Sequence, residues 1–257
     1  MNLASLLGQF HTGTNTHRIT IPPSWHQGRT AYGGLSSVLA YQAAKLADKA
    51  LPPLQSAQIA FVGPLAGEVD VTATVLRRGK NTAFVKSEIS GADGIGLSCT
   101  FIFMTRRHSH LDYEGLARPD FPPVPTDENA RSGPPEFFTG HMQYPEKRLE
   151  LGLATARLAS WHRFTEHQGI DPVAELICIG DALPPSAMGL MTEKGMVSSM
   201  NWQINMLSET PATSDGWWYL ESETHHAANG ASSQYMTVWN SDGMPVLSGM
   251  QSVAIFV

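Results

Sequence analysis

At Gly33-Gly34 the chain places two residues without side chains directly ahead of an apolar-periodic run. A helix that starts there leaves free backbone N–H groups and the positive end of its dipole open to an oxygen that is gaining negative charge. A Gly-Gly also serves as a tight entry packed on a sheet, and the neighbouring Trp25 and Leu35 favour the functional use. Gln251 is an uncharged polar residue in the strand-like run Val246 to Val257, where a satisfied core hydrogen bond is the plain reading. His225-His226 invites a metal, but adjacent strand residues face opposite sides and no carboxylate or Cys stands at ligand spacing. His162 and His167 are equally without partners. Arg77, Arg78 and Lys80 cluster at a hairpin, where they either meet phosphates or form a solvated turn. Trp217-Trp218 and Trp239 read as sheet-face packing rather than a base-stacking platform.

Composition excludes several classes. The chain has 257 residues, 42% of them hydrophobic and 16% charged, which is enough to bury a full core as one large domain or two smaller ones. A net charge of −6 with 17 Lys+Arg, and no basic run beyond Arg106-Arg107, leaves no electrostatic footprint for nucleic acid or for an anionic membrane surface. The start, Met1-Asn2-Leu3-Ala4-Ser5-Leu6-Leu7, lacks a basic segment before its apolar residues and does not read as a targeting signal. No apolar stretch approaches the ~20 residues of a membrane span. Cys99 and Cys178 lie in apolar surroundings without a CxxC pattern, which fits a reduced, cytoplasmic setting.

The elements that must position these residues form a pattern made twice. Leu35, Val38, Leu39, Ala43 and Leu46 recur at helical spacing after Gly33, and Pro52-Pro53 stops that helix. Strands are expected over 58–63, 68–76, 82–89 and 96–104, with turns at Lys80-Asn81 and Asp93-Gly94. Periodicity is lost over 106–136, which is proline-rich and reads as a linker. Beyond it, 149–164 reads as a strand with Leu149, Leu151, Leu153 and Leu158 in imperfect alternation. A helix is expected over 171–183, with Asp171 as N-cap, Pro172 at its first position and Pro184-Pro185 as its stop. Strands follow at 197–207, 217–224, 232–239 and 245–257, with turns at Asn229-Gly230 and Asp242-Gly243. Helix, Pro-Pro and four strands thus occur in each half, which gives two α+β units, 1–108 and 137–257, joined by a linker over 109–136.

Several of these segments resemble the acyl-CoA thioesterase family of the bacterial thioesterase II (TesB-like) type. Trp25-His26-Gln27-Gly28-Arg29-Thr30-Ala31-Tyr32-Gly33-Gly34-Leu35 is similar to that family's entry into its first central helix. Asp181-Ala182-Leu183-Pro184-Pro185 resembles the end of its second helix, and Glu221 to Ser233 and Val246 to Ala254 resemble its last strands. The resemblance implies an α+β double hotdog, two fused copies of a long helix wrapped by a curved antiparallel sheet. It implies hydrolysis of an acyl-CoA or other acyl thioester to the acid and free thiol, without a metal or other cofactor, in a protein that pairs as a homodimer. In that scheme the N–H groups at Gly33 and Gly34 polarise the carbonyl, and a slot lined by Trp25, Tyr32, Leu35 and Leu39 takes the acyl chain. An Asp, a Ser or Thr, and a Gln hold the water. Carried over by motif, the Gln falls on Gln251 and the hydroxyl on Thr224, with Glu223 an equally good alignment. The Asp position falls on Asn201, or on Gln203 without a gap, and neither amide is a base. Two other readings follow from that departure. One is a non-catalytic acyl-CoA binder; the other is a hydratase, for which His26 is the histidine near the helix entry.

Overall fold

The computed structural model describes residues 1–146 and 154–257. In chain order the elements are α1 (Leu3–Leu7), β1 (Thr16–Ile21), β2 (His26–Gln27), β3 (Thr30–Ala31), α2 (Gly33–Ala47), β4 (Leu54–Phe61), β5 (Gly67–Arg78), β6 (Thr82–Gly91) and β7 (Gly94–Met104). They continue with β8 (Ala130–Ser132), β9 (Met142–Pro145), β10 (Arg157–Phe164), α3 (Pro172–Gly180), β11 (Met196–Met206), β12 (Trp218–Ala228), β13 (Ala231–Asn240) and β14 (Pro245–Phe256). Twelve strands join edge to edge in the order β1-β5-β6-β7-β4-β11-β14-β13-β12-β10-β9-β8, every pair antiparallel. The halves meet where β4 pairs with β11, from Asn201 opposite Ala60 to Asn205 opposite Ser56. Each half wraps a central helix, and one buried core containing Leu35, Val38, Leu39, Leu176, Ile177 and Ile179 runs through both. This is the double hotdog that the resemblance implies.

The helices begin and end where the sequence chemistry directs. Asp171 caps α3 by accepting from the N–H groups of Val173 and Ala174 at 2.9 and 3.0 Å, with Pro172 in the first turn where no N–H is needed. α3 stops at Gly180, short of the expected end, so Asp181 stands just outside it as the C-cap residue. α2 has no side-chain cap: Tyr32 precedes it with extended backbone and offers none. The tight reversal at Asn229-Gly230 has φ of 52° and 77°, the left-handed pair that a two-residue hairpin turn needs.

Some elements differ from expectation. β1 and α1 carry too few residues for a periodic signal, yet Ile19, Ile21, Leu3 and Leu6 are buried. The strand expected from 149 is seen from Arg157, and Leu149, Leu151 and Leu153 lie outside the described residues. The proline-rich stretch has a structural task. Its Phe121 packs on Trp161, Tyr219 and Trp239, which lie on the face of the second half's sheet turned away from α3.

Asp171 also receives Lys45 Nζ at 2.6 Å, so it ties the last turn of α2 to the first turn of α3. Asp171→Ala is expected to cost about 1 kcal/mol through the lost cap, a fall of about 2–4 °C in melting temperature for a chain of this size, read by circular dichroism.

Candidate functional site

The site is built where the start of α2 meets the end of α3. The β2–β3 hairpin delivers the chain to Tyr32, whose N–H donates to Trp25 O at 2.9 Å. The Tyr32 ring stacks on Phe138 at 4.0 Å and its hydroxyl donates to Cys178 O at 2.6 Å, locking the entry of α2 against the last turn of α3. Gly34 permits the approach, since a Cβ there would stand 2.3 Å from Cys178 O and 2.7 Å from the Tyr32 ring. The residue that follows α3, Asp181, is thereby brought to the N-terminus of α2.

Asp181 is the carboxylate of the site, and strand-based placement of the acid missed it. Its Oδ1 accepts from Gln251 Nε2 at 2.7 Å, and the Gly34 N–H lies close enough to favour the charged carboxylate. Burial pushes its pKa up from 3.8 to about 7, against the opposing pull of the Gln251 and Gly34 hydrogen bonds. Its titratable neighbours Tyr32 and Cys178 are driven well above their ordinary ranges by burial and stay neutral. A base with a pKa close to neutral is what proton abstraction from water requires.

Behind Asp181 a continuous chain of side chains runs inward. Gln251 Oε1 accepts from Gln234 Nε2 at 3.0 Å. Gln234 Oε1 accepts from the Ser186 N–H at 2.9 Å and from the Ser186 hydroxyl at 3.2 Å. Ser186 Oγ in turn lies 2.8 Å from Thr224 Oγ1. Ser186 opens the 3-10 turn Ser186–Leu190 that follows Pro184-Pro185, so the stop of α3 also sets this chain in place.

The structure thus brings Gly33, Gly34, Gln251 and Thr224 into one connected region, Thr224 at its far end through Ser186 and Gln234. Between the two alternatives on β12, Thr224 points inward and is buried, and Glu223 points out. Asn201 is not brought to them. It is exposed, its Oδ1 accepts from the Ser252 N–H at 3.0 Å, and the cause is a bulge between Ser199 and Asn201. Before the bulge Val197 and Ser199 face inward; after it Trp202 and Ile204 do, so Asn201 is turned to the outer face. Gln203 is exposed on that same face.

A cleft of about 450 Å³ opens beside the site, with Gly33 and Asp181 in its wall, apolar sides from Phe61, Leu65 and Leu97, and Arg29 exposed at its rim. Trp25, Tyr32, Leu35 and Leu39 do not line it; all four are fully buried core residues. Trp25 stacks on His141 at 4.0 Å and donates to Met1 O at 3.0 Å. Arg78 is bound to Asp48 at 3.1 Å, past the other end of α2 and so roughly 22 Å from Gly33 along a 15-residue helix. His26 Nε2 is buried without a partner among the described residues.

Two family models match the sequence, an acyl-CoA thioesterase N-terminal domain over residues 21–105 and an acyl-CoA thioesterase C-terminal domain over residues 116–255. The chain belongs to the acyl-CoA thioesterase family. No curated protein sequence matches this thioesterase-family chain. Among solved structures it is similar to a protein of unknown function with a hot dog fold from Alicyclobacillus acidocaldarius, at TM-score 0.81 and 14% identity over 100% of this chain and 99% of that one. It is also similar to the tesB protein of Mycobacterium avium subspecies paratuberculosis, at TM-score 0.78 and 16% identity over 98% and 97% of the two chains. The acyl-CoA thioesterase II TesB2 of Mycobacterium marinum aligns at TM-score 0.74 and 13% identity, over 98% of this chain and 96% of that one. These likenesses show the fold.

Because folding raises the Asp181 pKa from 3.8 to about 7, the folded state holds a proton there that the unfolded chain has already released. That contribution to stability is fully present below about 3.8 and is lost as pH rises to about 7. Asp181→Asn removes the titration, so its melting temperature is expected to gain on wild type between pH 5 and pH 8; equal differences at both pH values would contradict the shift.

Proposed function

We propose that this thioesterase-family protein hydrolyses acyl-CoA thioesters to the free acid and coenzyme A, with Asp181 as the base. The observation that carries the reading is a single one: a carboxylate with a near-neutral pKa stands on a cleft wall, held between the N–H at the start of a helix and the Gln251 amide. Gln251 and Asp181 hold the water, whose oxygen attacks the carbonyl carbon as its proton passes to Asp181. Charge then develops on the carbonyl oxygen. The Gly33 N–H, which has no backbone partner among the described residues, is the donor that stabilises it, with the Gly34 N–H beside Asp181. As the tetrahedral species collapses the C–S bond breaks and the thiolate takes the proton from Asp181. The apolar walls at Phe61, Leu65 and Leu97 suit an acyl group, and Arg29 at the rim suits a phosphate of coenzyme A.

The setting of the reaction is part of the same proposal. Cys99 and Cys178 are both free and buried, which supports a reducing, cytoplasmic compartment. No helix among the described residues is long and apolar enough to cross a membrane. Tyr235 and Met250 pair across β13 and β14, exposed on the outer face of the sheet, and Met200 is also exposed on β11; a homodimer would cover such a face.

Thiol release from short, medium, long and aromatic acyl-CoAs tests the reading. Asp181→Asn and Gln251→Ala are expected to lose about 10²-fold or more in kcat, and Asn201→Asp to stay within about twofold of wild type. A silent wild type whose melting temperature rises with acyl-CoA would make the protein a binder instead. Loss of enoyl-thioester absorbance without thiol release would make it a hydratase.

A further inference from the structure

The four buried side chains behind Asp181 carry a direction as well as a connection. An amide side chain offers an acceptor at one end and a donor at the other, and which end points where is decided by its neighbours. Here one neighbour has no choice. The backbone N–H of Ser186 can only donate, and it lies 2.9 Å from one end of the Gln234 amide, which must therefore be the oxygen. The other end of Gln234 is then the NH2 group, 3.0 Å from Gln251, so the facing Gln251 atom must be its oxygen. The Gln251 NH2 group is left facing Asp181 at 2.7 Å. Flipping either glutamine would set donor against donor at Ser186, or a carbonyl oxygen against the carboxylate, with both amides buried.

The forced sense ends at Ser186: at the 2.8 Å contact between Ser186 Oγ and Thr224 Oγ1 either hydroxyl can donate.

We propose that Gln234, anchored by the Ser186 backbone N–H, is a positioning residue that fixes the Gln251 amide with its NH2 group toward Asp181. Its kinetic consequence rests on the hydrolase reading, whereas the orientation itself does not. Gln251 faces the carboxylate as a donor in this arrangement, and it would face it as a repelling acceptor in the other. The Pro184-Pro185 stop matters because neither proline has an N–H, and the first such group after them is the one that sets the sense of the whole chain. The ionisable groups set against Asp181 are Tyr32 from the entry to α2 and Cys178 from α3, both neutral, with Arg29 exposed at the rim of the same cleft.

Two readouts on the intact protein test this. The first is nuclear magnetic resonance on wild type labelled at Asp carboxyl carbons and Gln side-chain nitrogens, with assignments from Asp181→Asn and Gln251→Ala. The Gln251 NH2 resonance is expected to titrate with the Asp181 midpoint, and a Gln251 NH2 resonance indifferent to that titration would overturn the proposal. The second compares Gln234→Met with Ser186→Ala. Gln234→Met is expected to move the Asp181 midpoint up by ~1 unit, because the carboxylate loses an oriented donor. It also moves the acid limb of kcat upward by the same amount, with KM within about twofold. Ser186→Ala keeps the backbone N–H and is expected to leave the midpoint in place. An unmoved midpoint in Gln234→Met, or equal movement in both variants, overturns the proposal. If Gln234→Met does not fold, the wild-type titration decides. Absence of thiol release would sink the hydrolase reading and leave the midpoints to stand or fall separately.

Discussion

The architecture turns on one contact between two helices, and it is a contact made by a missing side chain. Gly34 lets the first turn of α2 close on the Cys178 carbonyl, where a Cβ would intrude to 2.3 Å. Tyr32 completes the closure by bonding the same carbonyl from the other side of the turn. Because the helices touch at this point, the residue after α3 falls beside the N–H groups that begin α2. Everything chemical about the cleft follows from that adjacency. A larger residue at 34 would hold the helices apart and with them the carboxylate and the helix N-terminus.

Burial sets the terms for the acid so placed. An isolated carboxylate in this position would simply take up a proton, and hydrogen bonds from Gln251 and Gly34 return part of what desolvation removes. The compromise near pH 7 is useful because it is a compromise: full solvation would leave a weak base, and full burial a permanent acid. The opposing forces come from elements far apart in the chain, α2 and β14, which is why the sheet must be continuous through the β4–β11 junction for the site to exist.

Much of this was legible in the sequence, and the parts that were not share a cause. Gly33-Gly34, the two Pro-Pro stops and the hairpin glycines are local signals, and each marks a boundary close to where it was expected. Gln251 and Thr224 came from motif resemblance, and both join the connected chain at Asp181. Asn201, like its alternative Gln203, was placed by the same resemblance, and a carried-over position fails at a bulge: alternation counted from Ser199 sends 201 inward, while the extra residue sends it out and brings Trp202 in. Asp181 sat in plain view in Asp181-Ala182-Leu183-Pro184-Pro185, but apolar periodicity extended the helix over it. Ser186 and Gln234 have no local signal whatever, since their pairing spans 48 residues and depends on how β13 faces the turn after α3.

The two-fold repeat raises the question of why the proposed site lies at one end of the helix pair rather than the other. The opposite end has the same ingredients, a helix start at Pro172 and an acid, Asp48, just past the end of α2 ahead of its own Pro-Pro. There the ingredients are spent. Pro172 has no N–H to offer, Asp171 caps the next ones with its own carboxylate, and Lys45 neutralises that carboxylate at 2.6 Å. Asp48 is drawn outward into an ion pair with Arg78 and keeps no unshared role at the helix start. At the Gly33 end Tyr32 supplies no cap, and among the described residues no cation pairs with Asp181, so the Gly33 N–H and the carboxylate remain available. The repeated pattern supplies two helix ends of similar make-up, and capping chemistry decides which of them stays open.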